Sequence, residues 1–535
     1  MRGLNKIGWG AAVVPIAAVA TGAVLLLAGG ASDADDPPGA SAAYPGGNPA
    51  NHRHAIGPLE AANVSRLEVA WRLPLSGQSL FGRHASLPVV SGGVVYSQDL
   101  ASNVQAIDLR SGEVIWEKLY ESQSVGPNGV VVAGDSVLGA TATEAFALDR
   151  ESGEERWAVE LVRNGVEGID MAPGYRDGRV YVSTVPVNVS GGYRGGGVGV
   201  LWALDAESGE RLWRFDTVPA DLWGRPDVNA GGGLWYPPSF DEEGFMYFGV
   251  GNPAPFSGTV EFPWGSSRPG PNLYTNSMVK LDAASGELQW HYQLTPHDVY
   301  DWDFQNSPVL VEAGGKELAI GAGKAGVVIA LDRETGTVAW RRAVGTHNGH
   351  DADSILAMNG QHEALESPAT VFPGMTGGVI APMATDGSAL FVPIVNNAMI
   401  VAADKEPRMS PSSSGEIVAL DLASGEVEWK RVLPAPAYGA TTTVNDIVLA
   451  TTYDGTIYAL ETDDGQVAWQ EKLPAGTNTG VTVAGDTVIA PAGVADGDQV
   501  AQIVAYRLGD GGNAVSAQAR RAESSGSAIG AGGVR

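Results

Sequence analysis

Between residues 57 and 509 the apolar positions fall in short runs such as VVYSQDL, RVYVSTV, FMYFGVG and ALFVPIV, separated by breaks rich in glycine and acid. Short runs enriched in Val, Tyr and Phe predict β-strands, whereas helical repeats would need apolar residues recurring every 3.6 positions. One pattern punctuates the strands. AIDLRSGEVIW ends at Trp116, ALDRESGEERW at Trp157, ALDAESGERLW at Trp213, KLDAASGELQW at Trp290, ALDRETGTVAW at Trp340, ALDLASGEVEW at Trp429 and ALETDDGQVAW at Trp469. Each copy reads as strand, tight turn, strand. The glycine supplies the positive φ that the turn demands, and the acid, Glu461 in the last copy, bonds turn amides. The closing Trp is a large flat side chain suited to packing on the next repeat, with its N–H buried against a backbone carbonyl.

Repeats of roughly 40 to 50 residues with about four strands each predict a β-propeller. An additional Trp, Trp71 in VSRLEVAWRLPL, has no hairpin before it, and the strands TVIAPAG and QIVAYRL after Trp469 have no closing Trp. The two halves predict one shared blade. The expected fold is therefore an all-β, eight-bladed propeller over residues 57–509, its ring closed by the N-terminal strand so that no sheet edge is left exposed. Two repeats are enlarged: Trp213 to Trp290 spans 77 residues and Trp340 to Trp429 spans 89, against 41 from Trp116 to Trp157. Propellers carry function on such loops and around the central channel.

Residues 33–56 and 510–535 are rich in Pro, Gly, Ala and Ser and read as a flexible linker and a disordered tail. Arg2 and Lys6 precede an uncharged run from Ile7 to Ser32, so residues 1–32 predict a membrane anchor or signal segment. An uncleaved anchor is favoured because the run exceeds about 20 residues. The propeller would then lie outside the cytoplasm, tethered to the membrane, or be secreted if the segment is cleaved.

Charge narrows the partners. With 33 basic and 61 acidic residues the net charge is -28, a field that repels phosphate backbones and excludes nucleic acid. There is no cysteine, which rules out disulfides, thiolate metal sites and covalently attached c-type haem. Redox chemistry would need a non-covalent cofactor and a separate electron acceptor.

The candidate chemistry lies in TPHDVYDWDFQN, Thr295 to Asn306, where Asp298, Asp301 and Asp303 cluster beside a histidine and aromatics just after the first enlarged repeat. Clustered carboxylates among bulky aromatics either neutralise one another or hold a cation. With this segment, the entry AANVSRLEVAWRL, the sequence GNPAPF and the Trp-ended repeats, the chain resembles the pyrroloquinoline quinone (PQQ)-dependent dehydrogenases over most of Asn51 to Leu508. Non-catalytic propellers such as the outer-membrane assembly lipoprotein share the repeats, so GNPAPF followed by TPHDVYDWDF carries most of the resemblance.

The resemblance implies an oxidoreductase acting on an alcohol or related hydroxyl compound. Asn252 and Asp303 would be metal ligands, for calcium or a lanthanide, and Asp301 both a metal ligand and the catalytic base. Trp235 and Lys324 would contact the quinone. Other positions depart from the pattern. Arg194 stands near an expected glutamate ligand, Ala85 near an acidic quinone contact, Asn128 near an arginine, Val379 near an asparagine and Ala437 near a second tryptophan. The alternative is a quinone-free propeller that acts as an envelope protein-interaction scaffold, its acids solvated or paired with Lys324 or Arg194. Arg194, in particular, would stand in for the cation if its guanidinium met Asp301 and Asp303. Among the remaining residues, His297 reads as a hydrogen-bonded structural histidine, and HNGHDADS, His347 to Ser354, reads as a solvent loop rather than a metal patch.

Overall fold

The computed structural model describes residues 42–187, 195–403 and 405–509. Strands dominate; helix is confined among the described residues to Asp353–Met358 and short 3-10 turns. Among the described residues the strands form eight sheets of four or five strands and two small two-stranded ladders. Within a typical sheet, Val89–Ser91, Val94–Gln98, Val104–Asp108 and Val114–Lys118 follow in chain order, each antiparallel to the last.

Hydrophobicity falls from the inner to the outer strand for a geometric reason. All five residues of Ser136–Ala140 are buried, because sheets cover both of its faces, whereas no residue of the outer strand Glu155–Glu160 is fully buried. The continuous apolar runs are thus central strands and the charged, Trp-bearing ones are rims. The core is correspondingly divided into clusters, one of which joins Val131 and Leu138 to Val180, Val182 and Phe248 of later sheets.

The recurring motif behaves as its chemistry requires. Asp108 accepts hydrogen bonds from the amides of Ser111 at 2.7 Å and Arg110 at 3.0 Å, and Gly112 closes the turn at φ 76°. Indole N–H groups reach the next sheet: Trp71 donates to Leu109 O at 2.9 Å, Trp116 to Arg150 O at 3.0 Å, Trp290 to Arg333 O at 3.0 Å and Trp340 to Leu422 O at 2.9 Å. Trp213 is an exception, its buried Nε1 having no partner. The turn glycines serve a second purpose, since a Cβ on Gly112 would lie 2.6 Å from the Trp71 ring and one on Gly153 2.6 Å from Trp116. The preceding sheet's indole sits directly on each glycine.

Leu67–Pro74, which carries Trp71, pairs antiparallel with Gln502–Leu508 and completes the sheet of Thr482–Ala484 and Thr487–Ala492. The expected linker over 33–56 needs correction in its second half. Ala42–Ala43 pairs with Ala133 and Val132, and His54–Ala55 runs parallel to Thr443 and Val444. Between them Asn51 Nδ2 donates to Ser307 O at 3.0 Å and the His52 ring bonds Leu310 O at 2.7 Å. Composition misses this because the segment is held by the ends of strands from distant sheets, not by an apolar face of its own. The predicted anchor and tail lie outside the described residues, among which no helix is long and apolar enough to cross a membrane.

Candidate functional site

Trp235, Asn252, Asp301, Asp303 and Lys324, dispersed over ninety residues of sequence, line one cleft together with Gly231 and Gly232. Trp235 follows the glycine run 231–233, Asn252 follows the strand Phe245–Gly249, and Lys324 follows the strand Lys316–Ala322. The acids sit in the connection between Leu288–Gln293 and Val309–Ala313.

The three acids of TPHDVYDWDF divide their work. Asp298 builds the turn: its carboxylate accepts the amides of Tyr300 at 3.0 Å and Trp302 at 2.9 Å. The aromatics pin the loop from outside, Trp302 by donating to Pro373 O at 3.0 Å and Tyr300 by bonding Asp353. Held this way, Asp301 adopts the left-handed conformation at φ 62°. Such a residue persists only where its surroundings over-determine it, a condition met most often at functional sites. Asp303 accepts the Asn252 amide at 2.7 Å, and its carbonyl accepts the Lys324 amide at 2.9 Å. Two glycines permit this approach: a Cβ on Gly323 would overlap Asp303 O, and one on Gly251 would lie 3.0 Å from Asp303 Oδ1 and 3.1 Å from Trp235 Nε1.

Lys324 Nζ lies 2.8 Å from Asp301 Oδ2 and 2.6 Å from Asp303 Oδ2. One ammonium therefore faces two buried carboxyl groups, and with both ionised the cluster would be one positive charge short of neutrality. Burial, opposed by Lys324 and reinforced by Asp303, pushes the Asp301 carboxyl up to about 8. Burial alone would lower Lys324, but the charges of Asp301 and Asp303 overcome it and hold the ammonium above its usual range. A proton acceptor poised near neutrality beside a fixed cation is what general base catalysis needs.

The donor chemistry suits a hard cation. Asn252 Nδ2 is committed to Pro253 O at 3.1 Å, leaving the amide oxygen uncommitted among the described residues, next to two carboxylates. Lys324 is the counter-charge already in place, so a metal would have to displace the ammonium from at least one carboxylate. About 30 Å³ of space separates these groups, room for an ion with water.

The departures sort by location. Arg194 lies outside the described residues, and with it the idea of an internal guanidinium cation. Ala85 and Asn128 line a second chamber. Asn128 Nδ2 donates to Asp99 O at 2.6 Å, while its Oδ1 is buried without a partner. Val379 and Ala437 are fully buried, and the Val379 amide donates to Gly323 O at 3.0 Å beside Lys324. These two positions are packing. His297 places its ring nitrogens near Gly270 O at 2.9 Å and Trp264 O at 3.2 Å, and burial, aided by Arg268, lowers it to about 4. In HNGHDADS the histidines pair locally, His347 with Asp351 at 2.7 Å and His350 with Asp353 at 2.8 Å. Among the described residues no three or more His, Asp or Glu side chains are grouped to hold a metal. Sequence reasoning missed Arg53, Tyr236 and Tyr438, which line the second chamber; Arg53 lies in a polar stretch with no periodicity to mark it.

Similarity to known proteins extends over the same stretch of chain. The family model described as "Glucose/ethanol/alcohol dehydrogenase, beta-propeller domain" matches residues 169–341 and so spans the whole acid cleft. The model described as "Outer membrane protein assembly factor BamB" matches residues 54–127, 102–234 and 325–531, well over half of the chain. The chain belongs to the PQQ-like β-propeller repeat family, and over residues 169–341 it is similar to the dehydrogenase propellers. Among its relatives, the quinohemoprotein alcohol dehydrogenase of Comamonas testosteroni is 33% identical over 321 residues, covering 52% of this chain and 42% of that protein. The quinoprotein ethanol dehydrogenase of Pseudomonas aeruginosa is 26% identical over 485 residues, covering 74% and 76%. The chain spans about half the length of the first curated relatives it matches. Two solved structures share the fold. The quinohemoprotein alcohol dehydrogenase from Comamonas testosteroni gives a TM-score of 0.73 at 23% identity, over 87% of this chain and 80% of that one. A europium-containing methanol dehydrogenase gives 0.72 at 19%, over 87% and 97%. The family fold is therefore all-β, with propellers as its structural neighbours.

Proposed function

We propose that this chain is an extracytoplasmic PQQ-dependent oxidoreductase that oxidises an alcohol or related hydroxyl compound, built on eight blades whose ring the strand Leu67–Pro74 completes. The observation that carries the reading is the meeting of Asn252, Asp301, Asp303, Trp235 and Lys324 at one cleft. Relatives described as quinoproteins take a quinone cofactor, and the site chemistry here is compatible with a metal beside it. Asn252 and Asp303 would hold the cation, with Asp301 beside it, and Trp235 and Lys324 would border the quinone. When bound, the quinone supplies a two-electron acceptor and its cation Lewis acidity.

The chain's own residues do the rest. Asp301 takes the proton of the substrate hydroxyl, its affinity tuned by burial and by Asp303. Lys324 holds both carboxylates in register, and the Asp298 turn fixes the loop that carries them. With no cysteine to attach a haem, electrons leave through a separate acceptor. The N-terminal segment, as anchor or signal, would place this chemistry outside the cytoplasm.

Reconstitution of the purified protein with PQQ and either calcium or a light lanthanide tests the reading. Stoichiometric cofactor retention with alcohol-dependent dye reduction is expected. Failure to retain quinone with either metal would leave the scaffold reading, in which Lys324 stays paired with the acids.

A further inference from the structure

We infer that Arg53, at the second chamber, is a carboxylate-recognition residue. Arg53 is 6% exposed, and its Nε donates to Thr441 O at 3.1 Å. That single bond uses one of the guanidinium's five donors. Among the described residues neither terminal nitrogen makes a hydrogen bond and no carboxylate lies within ion-pair distance, although fifteen described Asp and Glu residues do form such pairs with Arg, Lys or His elsewhere in the fold. A buried cation without a counter-charge costs several kcal/mol; fully buried Arg268 also lacks a carboxylate partner but donates to four oxygens, whereas Arg53 donates to one and leaves its terminal nitrogens facing the chamber.

The surroundings are built to receive an anion. Arg53 lines a chamber of about 40 Å³ with Asn51, Ser86, Asn128, Tyr236 and Tyr438. Waters need roughly 10–15 Å³ each on this measure, so the space takes about three, or one carboxylate group with its solvent. The chamber lacks an acid; Ala85 stands on its wall. Asn51 and Arg53 both come from the N-terminal segment, which the bonds of Asn51 to Ser307 O and of Arg53 to Thr441 O fix between distant sheets. The cation is thus rigidly presented. With Nε engaged, the two terminal nitrogens remain as an in-plane edge that matches the two oxygens of a carboxylate, a match a spherical ion does not make.

The carboxylate has two possible sources, a small free acid or a carboxylate of the quinone. Tyr236 connects them: it lines the Arg53 chamber, follows Trp235 of the acid cleft in the chain, and senses the charges of both Arg53 and Lys324. The quinone arm rests on the proposed function; the free-acid arm does not.

The test uses the full chain and the variants Arg53→Gln, Arg53→Lys and Arg53→Met, at constant ionic strength. Sodium formate and, separately, PQQ with calcium are titrated while thermal midpoints and binding heats are recorded. The wild type should show a saturable rise in midpoint with formate, with PQQ, or with both. Arg53→Gln should weaken that binding at least tenfold, and Arg53→Lys, which keeps the charge but loses the fork, should fall between. Without ligand, Arg53→Met should melt at or above the wild-type temperature, because it removes an uncompensated buried charge. Formate binding that depends on Arg53, with no PQQ retention, supports the site while the quinone reading fails. PQQ binding that depends on Arg53, without a formate effect, assigns the carboxylate to the quinone. If neither ligand binds in an Arg53-dependent way, or if Arg53→Met is strongly destabilised without ligand, the inference is overturned.

Discussion

Asp301→Asn replaces an ionisable carboxyl by a neutral group of the same shape in the acid cleft. Asp301 is 7% exposed, and its carboxyl is raised from the ordinary 3.8 to about 8, by burial first, with Lys324 opposing and Asp303 adding. The folded protein thus holds this proton more tightly than the unfolded chain does. The group's contribution to stability is fully present below about pH 4 and is lost as pH rises through about 8. At about 1.4 kcal/mol per pH unit, the whole window amounts to on the order of 5 kcal/mol at most. Lys324 does not blunt the effect: its affinity is also raised, so its contribution persists up to its usual range and is lost only above it. In protein without cofactor, the wild-type melting temperature should therefore fall between pH 5 and 9 more steeply than that of Asp301→Asn, and the variant should be the more stable protein at pH 9. The asparagine oxygen can still accept from Lys324, so the fold should survive. Reconstituted with quinone and metal, the same variant should lose about 10²- to 10⁴-fold in turnover, the range of a general base. Parallel melting curves for the two proteins across this window would refute the raised proton affinity, and turnover within tenfold of wild type would refute the base.

Lys324→Met leaves Asp301 and Asp303 buried without their cation, and should cost about 3–5 kcal/mol at pH 8 and distinctly less at pH 5, where proton uptake relieves the pair; melting at the two pH values decides it. Terbium added to the cofactor-free protein should give luminescence sensitised by Trp235, lost on Asp303→Asn or Asn252→Ala, and equal emission from all three proteins would remove these residues from the metal site. Gly153→Ala must hold φ 71° and place its Cβ 2.6 Å from the Trp116 ring, so a loss of about 2–4 kcal/mol is expected in chemical denaturation, against near zero for an exposed Glu151→Ala control. Deletion of Leu67–Pro74 should destabilise the whole molecule rather than one end, because the strand pairs with Gln502–Leu508; an unchanged melting temperature would contradict that.

The repeated motif determined most of the architecture by itself. Its turn glycine, acid and Trp each satisfy a local demand within a few residues, and the same demand recurs wherever the motif does, so strands, turns and indole contacts were legible without coordinates. The pairing of Trp71's strand with the C-terminal strand was legible as well, since two incomplete repeats at opposite ends of the chain each lacked what the other had. The acid cleft was legible residue by residue through the resemblance, but its electrostatic state was not. That Asp298 would cap a turn while Asp301 and Asp303 share Lys324 depends on distances across segments separated in sequence, and a pattern of residue types does not encode them. Residues 42–56 show the limit most directly. Polar, short of apolar residues and without period, they read as linker, yet strand ends contributed by distant sheets satisfy their backbone and fix Arg53 at the chamber. A segment whose stability comes wholly from partners far along the chain carries no local signature, and only the tertiary structure could decide that it belongs to the fold.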